Sequence, residues 1–442
     1  MPNPSNSAMF TVGPPEKQAK IFLAKDHVDR ETIKQIEAMN GHESVLKVRV
    51  MPDVHKGNGC CVGFTCKLTE SVLPGLIGGD IGCGIAMHPL PPTLLCKKNA
   101  LAKLDTVIQR HVPMGNGHDR VHAVPLVQPS QYDKYFALAQ EDAEAFAAAF
   151  ESAFGVSIRQ HMPTYSAAWW RSRCEEIGSI YEFDLRAMGT LGGGNHFIEI
   201  NDNGGVDSGG YITVHTGSRN FGQRVARYHH LENSESGATM EQDNFADVQD
   251  DDKDTRGVSS NSRALRGAAA SAYFFDMIWA QTYAKMNRRA ILSVVLLAVG
   301  LELDEASVME SVHNYIDFRD LVVRKGAIRC HAGERCVVAL NMRDGVLVCE
   351  GKGNDEWNQS GPHGCGRIRS RQAMQLRKGK AVSAAMRRFR DEMGAVESSC
   401  IVPETLDERP SAYRNADLIE AALEDTATVV LHARTLLNVK GY

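Results

Sequence analysis

No stretch of this 442-residue chain is long and apolar enough to cross a membrane as a helix. Its longest apolar run, Ala290 to Leu301, falls well short of the roughly 20 residues a bilayer requires and reads as a buried helix or strand segment. Between Met1 and Pro15 there is no basic stretch followed by an apolar run, so the start of the chain does not read as a secretory signal. The eleven cysteines are odd in number, include no C-x-x-C pair and show no framework-like spacing. That excludes a secreted disulfide scaffold and leads us to expect a reducing, cytoplasmic setting. Tandem repeats, low-complexity linkers and composition shifts that would mark a domain boundary are absent, and on length alone one large domain or two fused ones both remain open. There is no Walker A sequence, and Gly192-Gly-Gly-Asn is no Rossmann fingerprint, because it runs directly into the strand-like His196-Phe-Ile-Glu-Ile.

Excess positive charge is also lacking: the net charge is −5. Taken whole, that argues against a nucleic-acid partner, since phosphate binding rests on clustered Lys and Arg. The charge is segregated, however. Residues 367–390 hold nine Lys or Arg and no Asp or Glu, which leaves −14 for the remainder. A solvated helix face and a phosphate-binding surface are both open from this pattern.

With 43% hydrophobic residues the chain can bury a substantial core. Short β-like runs such as Ser44–Val50 and Tyr211–Val214 alternate with helix-like stretches, notably Gln140–Phe154 and Gly267–Leu297. This predicts a mixed α/β, or α+β, fold. Residues 231–262 are poor in large apolar side chains and include the run Asp250-Asp-Asp-Lys-Asp254; they read as an exposed acidic insert or loop. Without the spaced Gly and terminal Glu of a calcium loop, the carboxylates read as solvated surface.

The distinctive feature is a series of Gly-rich, His-containing loops: Met51-Pro-Asp-Val-His55, Gly78-Gly-Asp-Ile-Gly-Cys-Gly84, Gly192-Gly-Gly-Asn-His196, His215-Thr-Gly-Ser-Arg219, His313-Asn314 and His363-Gly-Cys-Gly-Arg367. Asp80 and Cys83 offer an oxygen and a thiolate three residues apart, and with several imidazoles they form a borderline-soft donor set suited to zinc, manganese, iron or cobalt. Singly, Cys83 reads more simply as a small buried hydrophobe, and His196, His215 and His313 each as a satisfied histidine. Their joint occurrence favours a metal site. His363 lies among Gly361, Gly364 and Gly366, followed by Arg367, Arg369 and Arg371. Such a histidine fits a covalent phosphoryl acceptor, with small neighbours for access and guanidinium groups for the phosphate oxygens. A loop histidine beside a basic, nucleic-acid-binding helix fits as well.

Taken in order, these motifs resemble the RtcB family of RNA ligases from about Phe22 to Tyr442. Arg324-Lys-Gly-Ala327, the terminal Val439-Lys-Gly441 and the helix pattern Tyr273…Asp276-Met277…Ala280…Tyr283-Ala284…Asn287-Arg288 add to the likeness. The resemblance implies one ligase domain over residues 1–442, of the family's own α/β type, with a deep cleft for metal and nucleotide. It implies two manganese ions, one held by Asp80, Cys83 and His196 and the other by Cys83, His215 and His313, with Cys83 bridging. It further implies that His363 is guanylylated by GTP. The guanylate would pass to an RNA 3′-phosphate, which arises from a 2′,3′-cyclic phosphate, and a 5′-hydroxyl would then attack. Asp53 would be an essential acid nearby. Asn195, Phe197, Glu199, Gly364, Gly366, Arg367, Tyr413 and Lys440 would contact the nucleotide, while Arg219, Arg369 and Arg371 would meet RNA phosphates. The expected partners are GTP and RNA with broken ends, either tRNA halves or damaged rRNA or tRNA, and no membrane. A monomer is expected, with a place for an accessory activator.

The chain departs from the family's usual pattern at Ala339-Leu-Asn-Met342 (commonly Pro-Gly-Ser-Met), at Cys365 (commonly Ala), at Cys60-Cys61 and in the acidic stretch around Asp250, which suggests a divergent subfamily. Two other functions compete with the ligase. The altered Ala339–Asn341 segment motivates a metal-dependent phosphodiesterase that opens cyclic phosphates without sealing, and the basic stretch motivates a non-catalytic RNA-binding protein.

Overall fold

The computed structural model describes residues 9–115, 117, 119–205, 208–232, 263–368, 374 and 380–442. The fold is mixed α/β, with four sheets among the described residues. Of the expected acidic insert, only Leu231 and Glu232 fall within them, as the last residues of the helix Arg219–Glu232; residues 233–262 lie outside.

One sheet has five antiparallel strands in the spatial order Thr435–Lys440, Phe197–Asp202, Gly210–Thr216, Gly84–Leu90 and Met309–Val312. Its register matters for function. Gly84 stands opposite both Thr216 and Val312, Phe197 opposite His215, and Lys440 opposite Phe197. Cys83, His196, His215, His313 and Lys440 are therefore collected at one end of the sheet, although they span most of the chain. The six-stranded sheet runs Phe10–Val12, Ala19–Ile21, Leu46–His55, Val62–Lys67, Val322–Lys325 and Asn314–Ile316, with one parallel pair, Ala19–Ile21 beside Leu46–His55. Smaller sheets pair Ala327–Arg329 with Ser360–Pro362, and Arg335–Ala339 with Val346–Gly351 and Ala427–Ala433.

Met51–His55, read above as a loop, is the second half of a strand. Pro52 has no N–H for a ladder, but the pairing with Val62–Lys67 shifts register between Val50 and His55, so the proline falls where the ladder is interrupted. Burial of Met51 through Val54 keeps the segment in the sheet.

The longest helix, Gly267–Ala298, contains no proline and is buried on nearly every face. Gly300 ends it at φ +80°, with Leu301 N bonded to Leu296 O and Gly300 N to Leu297 O, a Schellman closure. Around this helix Trp170 and Trp279 pack at 5.2 Å between ring centroids, and Phe136 lies 4.8 Å from Trp279. The apolar stretch at Ala290 is its C-terminal portion.

Candidate active site

The structure brings Asp80, Cys83, His196, His215 and His313 into one buried group. Cys83 Sγ lies 3.4 Å from His196 Nε2 and 3.3 Å from His215 Nε2. His215 Nε2 lies 3.3 Å from His313 Nε2, and His196 Nε2 lies 2.9 Å from Asp80 Oδ2. The second ring nitrogens decide the tautomers. His196 Nδ1 faces the Leu191 carbonyl at 2.9 Å, and His215 Nδ1 faces the Asn195 carbonyl at 3.2 Å. With its Nδ1 donating, His215 Nε2 presents a lone pair toward the sulfur and His313, while His196 Nε2 lies between the sulfur and the Asp80 carboxylate and donates to the latter when no cation is present.

Burial drives His215 and His313 well below the usual imidazole range, so both rings are neutral. Burial pushes the Asp80 carboxyl up, but His196, Cys83 and Arg219 together outweigh it and bring it down to about 2. The sulfur and the neutral His215 and His313 rings converge by their lone pairs beside a carboxylate, an arrangement that a cation among them would stabilise. Cys83, His196 and His215 are spaced to share one metal ion. Asp80 flanks this trio on the His196 side and His313 on the His215 side, so the residues fit a divalent-metal centre. Gly217 has no side chain for a steric reason, since a Cβ there would overlap the Asp80 carboxylate.

Two neighbours on the long helix fix the loops that carry these donors. Asn287 Oδ1 accepts from Gly189 N at 2.7 Å and Thr190 N at 3.2 Å, while its Nδ2 donates to the carbonyls of Thr190 and Gly217. Arg288 Nη1 donates to the carbonyls of Gly82 and Thr216, both at 2.8 Å, and its Nε to Glu310 Oε1 at 2.9 Å. The residues beside Cys83 and His215 are thus tied to one guanidinium, and the loop leading to His196 to one carboxamide. Sequence reasoning noted Asn287-Arg288 only as part of a helix pattern.

His363 stands next to this cluster, its ring centroid 4.7 Å from that of His313. Asp53, 0% exposed, accepts through Oδ2 from His363 Nδ1 at 2.6 Å, from His363 N at 3.1 Å and from Gly364 N at 3.3 Å. The carboxylate holds the proton side of the ring, leaving Nε2 as the nucleophilic nitrogen. Arg414, missed in the sequence, donates to the Asp53 and Val54 carbonyls at 3.3 and 2.6 Å, and its backbone N donates to Gly366 O. Gly366 sits at φ +67°, where a Cβ would overlap the Asp53 carbonyl. The Ala339 departure abuts this loop: Ala339 N donates to the His363 carbonyl at 3.0 Å.

Phe197, Glu199, Asn438 and Lys440 share one face of the five-stranded sheet by register. Glu199 is held by Asn201 Nδ2 at 2.9 Å and Asn438 Nδ2 at 2.7 Å. Lys440 donates to the Asn195 carbonyl at 3.2 Å. Arg367 and Tyr413 meet at 3.3 Å, and Gly364 and Gly366 border His363. Arg219 opens the helix Arg219–Glu232 at φ +54°; its Nε donates to Thr190 Oγ1 at 3.3 Å, and its charge lowers the Asp80 carboxyl. Arg369 and Arg371 lie outside the described residues.

Residues 35–441 match the family model described as tRNA-splicing ligase RtcB. The chain is 27% identical to the RNA-splicing ligase RtcB of Escherichia coli K12 over 419 residues, covering 89% of this chain and 90% of that protein. It is 26% identical to a second Escherichia coli protein, RNA-splicing ligase RtcB1, with the same coverage of each. It is also 26% identical to the tRNA-splicing ligase RtcB of Pyrobaculum aerophilum, covering 89% of this chain and 87% of that protein.

Proposed function

The chain belongs to the RtcB family of tRNA-splicing ligases and is an RNA ligase; from that premise we propose that it joins RNA 2′,3′-cyclic phosphate or 3′-phosphate ends to 5′-hydroxyl ends, consuming GTP through a guanylate on His363. The observation that carries this reading is the His363–Asp53 pair beside the Cys83 cluster. His363 Nε2 attacks the α-phosphorus of GTP, forming a P–N bond as the bond to pyrophosphate breaks. Asp53 keeps Nδ1 protonated and the ring aimed, and stabilises the positive charge that the imidazole gains. The guanylate then passes to an RNA 3′-phosphate oxygen, restoring free His363. A 5′-hydroxyl attacks the activated 3′ end and GMP leaves. Asp80, Cys83, His196, His215 and His313 would hold manganese, and the metal would neutralise phosphate charge. Arg219, at the cluster's edge, would meet a phosphate of the RNA. RNA with broken ends is the proposed partner.

The test is incubation of the purified protein with α-labelled GTP and manganese, followed by denaturing electrophoresis and by sealing of cyclic-phosphate RNA to 5′-hydroxyl RNA. Covalent label and sealed product are expected. Opening of cyclic phosphate that needs no GTP and joins no ends would instead favour the phosphodiesterase, and Ala339, bonded to the His363 carbonyl, would be the first residue to examine.

Glu199 gives the nucleotide site a pH dependence. Burial raises its carboxyl to about 7, against the hydrogen bonds of Asn201 and Asn438 and the charge of Lys440. To accept from the N1–H and N2–H of guanine the carboxyl must be ionised. Below the raised value, binding has to expel a proton, so affinity should fall about tenfold per pH unit; above it the dependence levels off. Calorimetry with guanosine, which carries no titrating phosphate, is expected to show this slope in the wild type and none in Glu199→Gln. A flat wild-type profile would remove Glu199 from the guanine edge.

A further inference from the structure

Glu408, a residue the motifs do not include, is 2% exposed at the end of the 3₁₀ turn Pro403–Glu408. Its carboxylate accepts from Arg367 Nη1 at 2.8 Å, from Tyr413 OH at 2.6 Å and from Lys440 Nζ at 2.9 Å. These are three of the side chains assigned above to the nucleotide, and they arrive from three separate segments. Arg367 is further fixed through Nη2 to the Asp407 carbonyl at 2.7 Å. Lys440 is 3% exposed, and its ammonium lies 5.7 Å from the Phe197 ring centre.

Donor arithmetic gives this hub a consequence. An ammonium has three N–H donors. In Lys440 one goes to Glu408 and one to the Asn195 carbonyl, which leaves the third for an acceptor. On the same sheet face Glu199 offers an acceptor for donors. A base that satisfies both presents an acceptor next to an N–H edge, as guanine does with O6, N1–H and N2–H. Adenine presents a donor, its N6 amine, where the ammonium needs an acceptor.

We propose that Glu408 is a positioning residue that selects guanine: by anchoring Lys440, and with it Tyr413 and Arg367, it holds the ammonium where only a base with an acceptor at its 6-position is matched. The proposal rests on the reading of this pocket as the GTP site. Without the anchor, Lys440 is free to turn its donors elsewhere, and the mismatch that excludes adenine is relaxed.

The experiment measures covalent labelling by α-labelled GTP and ATP, with kcat and KM resolved, for wild type, Glu408→Gln, Lys440→Met and the double variant, each checked by thermal melting. The expected result is a GTP-over-ATP preference in kcat/KM that falls at least about tenfold in Glu408→Gln, mainly through a higher KM for GTP. The double variant should lose no more preference than Lys440→Met alone, because the effect of Glu408 runs through Lys440. If Glu408→Gln does not fold, Glu408→Asp, which keeps the charge but retracts it, is read by the same ratio. An unchanged preference in a folded Glu408 variant, or additive losses in the double variant, overturns the role of Glu408 while leaving the GTP reading intact. A wild type that takes no label from GTP overturns both.

Discussion

His363→Ala is expected to take up no covalent guanylate from α-labelled GTP under conditions that label the wild type, while its affinity for divalent metal stays close to the wild-type value. The two halves of this result have separate physical origins. Label requires a nitrogen nucleophile with a free lone pair, and the 2.6 Å bond from Nδ1 to Asp53 leaves that lone pair on His363 Nε2. Alanine offers none. His196, His215 and His313 have their Nε2 atoms turned into the Cys83 cluster. Metal affinity should survive because the bonds that hold the donor loops run through Asn287 and Arg288 and do not involve His363. The change carries a structural cost as well. Asp53 Oδ1 already has no partner, and Oδ2 would keep only the backbone N–H groups of residues 363 and 364. A destabilisation of about 1–3 kcal/mol follows from leaving a buried acceptor short of a donor, so a melting curve belongs beside the gel. Label that persists on the variant would assign the guanylate to another residue and sink the proposed chemistry.

Much of the fold could be read from pattern because it depends on local chemistry. The helix expected over Gly267–Leu297 runs Gly267–Ala298, and Tyr211–Val214 is the middle of the strand Gly210–Thr216. The helix expected over Gln140–Phe154 begins earlier, at Asp133, where Tyr135, Phe136 and Ala139 already turn inward. The loop reading of Met51–His55 failed because proline argues locally against a strand, whereas pairing on either side, Val50 with Phe64 and His55 with Val62, carries the chain through a bulge that holds Pro52.

The candidate site divides in the same way. Cys83, His196, His215, His313 and His363 drew notice because each is a chemically versatile side chain within two residues of glycine or asparagine, where backbone can crowd a ligand. Arg288, Glu408 and Arg414 are ordinary charged side chains with no glycine-rich loop around them. Arg288 looks like any charged helix residue until its partners are seen at Gly82 and Thr216, 206 and 72 positions away. Glu408 gains its meaning only when Arg367 and Lys440 converge on it. Residues that react are written in local sequence, whereas residues that hold them in place are defined by contacts that tertiary folding creates.

Cys83→Ala tests that division at the metal centre and is expected to lower manganese or cobalt affinity by at least about 100-fold, beyond the 10–100-fold typical of losing a residue that only orients a ligand. Cys83 Sγ is the atom common to both halves of the cluster, 3.4 Å from His196 Nε2 and 3.3 Å from His215 Nε2. Removing it leaves Asp80 with His196 on one side and His215 with His313 on the other, two donors for each half. His313→Ala is a milder change, since Asp80, Cys83 and His196 remain as a set of three. If two ions share the thiolate, titration of metal-free wild type should reach about two cobalt equivalents, His313→Ala about one, and Cys83→Ala none at matched concentration; ligand number and type set these differences. Cobalt bound to a thiolate also absorbs by sulfur-to-metal charge transfer, so the same titration reports whether the sulfur is a ligand, independently of any activity. One equivalent in the wild type that Cys83→Ala abolishes would keep the metal centre and reduce it to a single ion. Undiminished cobalt binding in Cys83→Ala, with no charge-transfer band in the wild type, would mean that the imidazoles and Asp80 suffice, and that the buried cysteine only fills space between them.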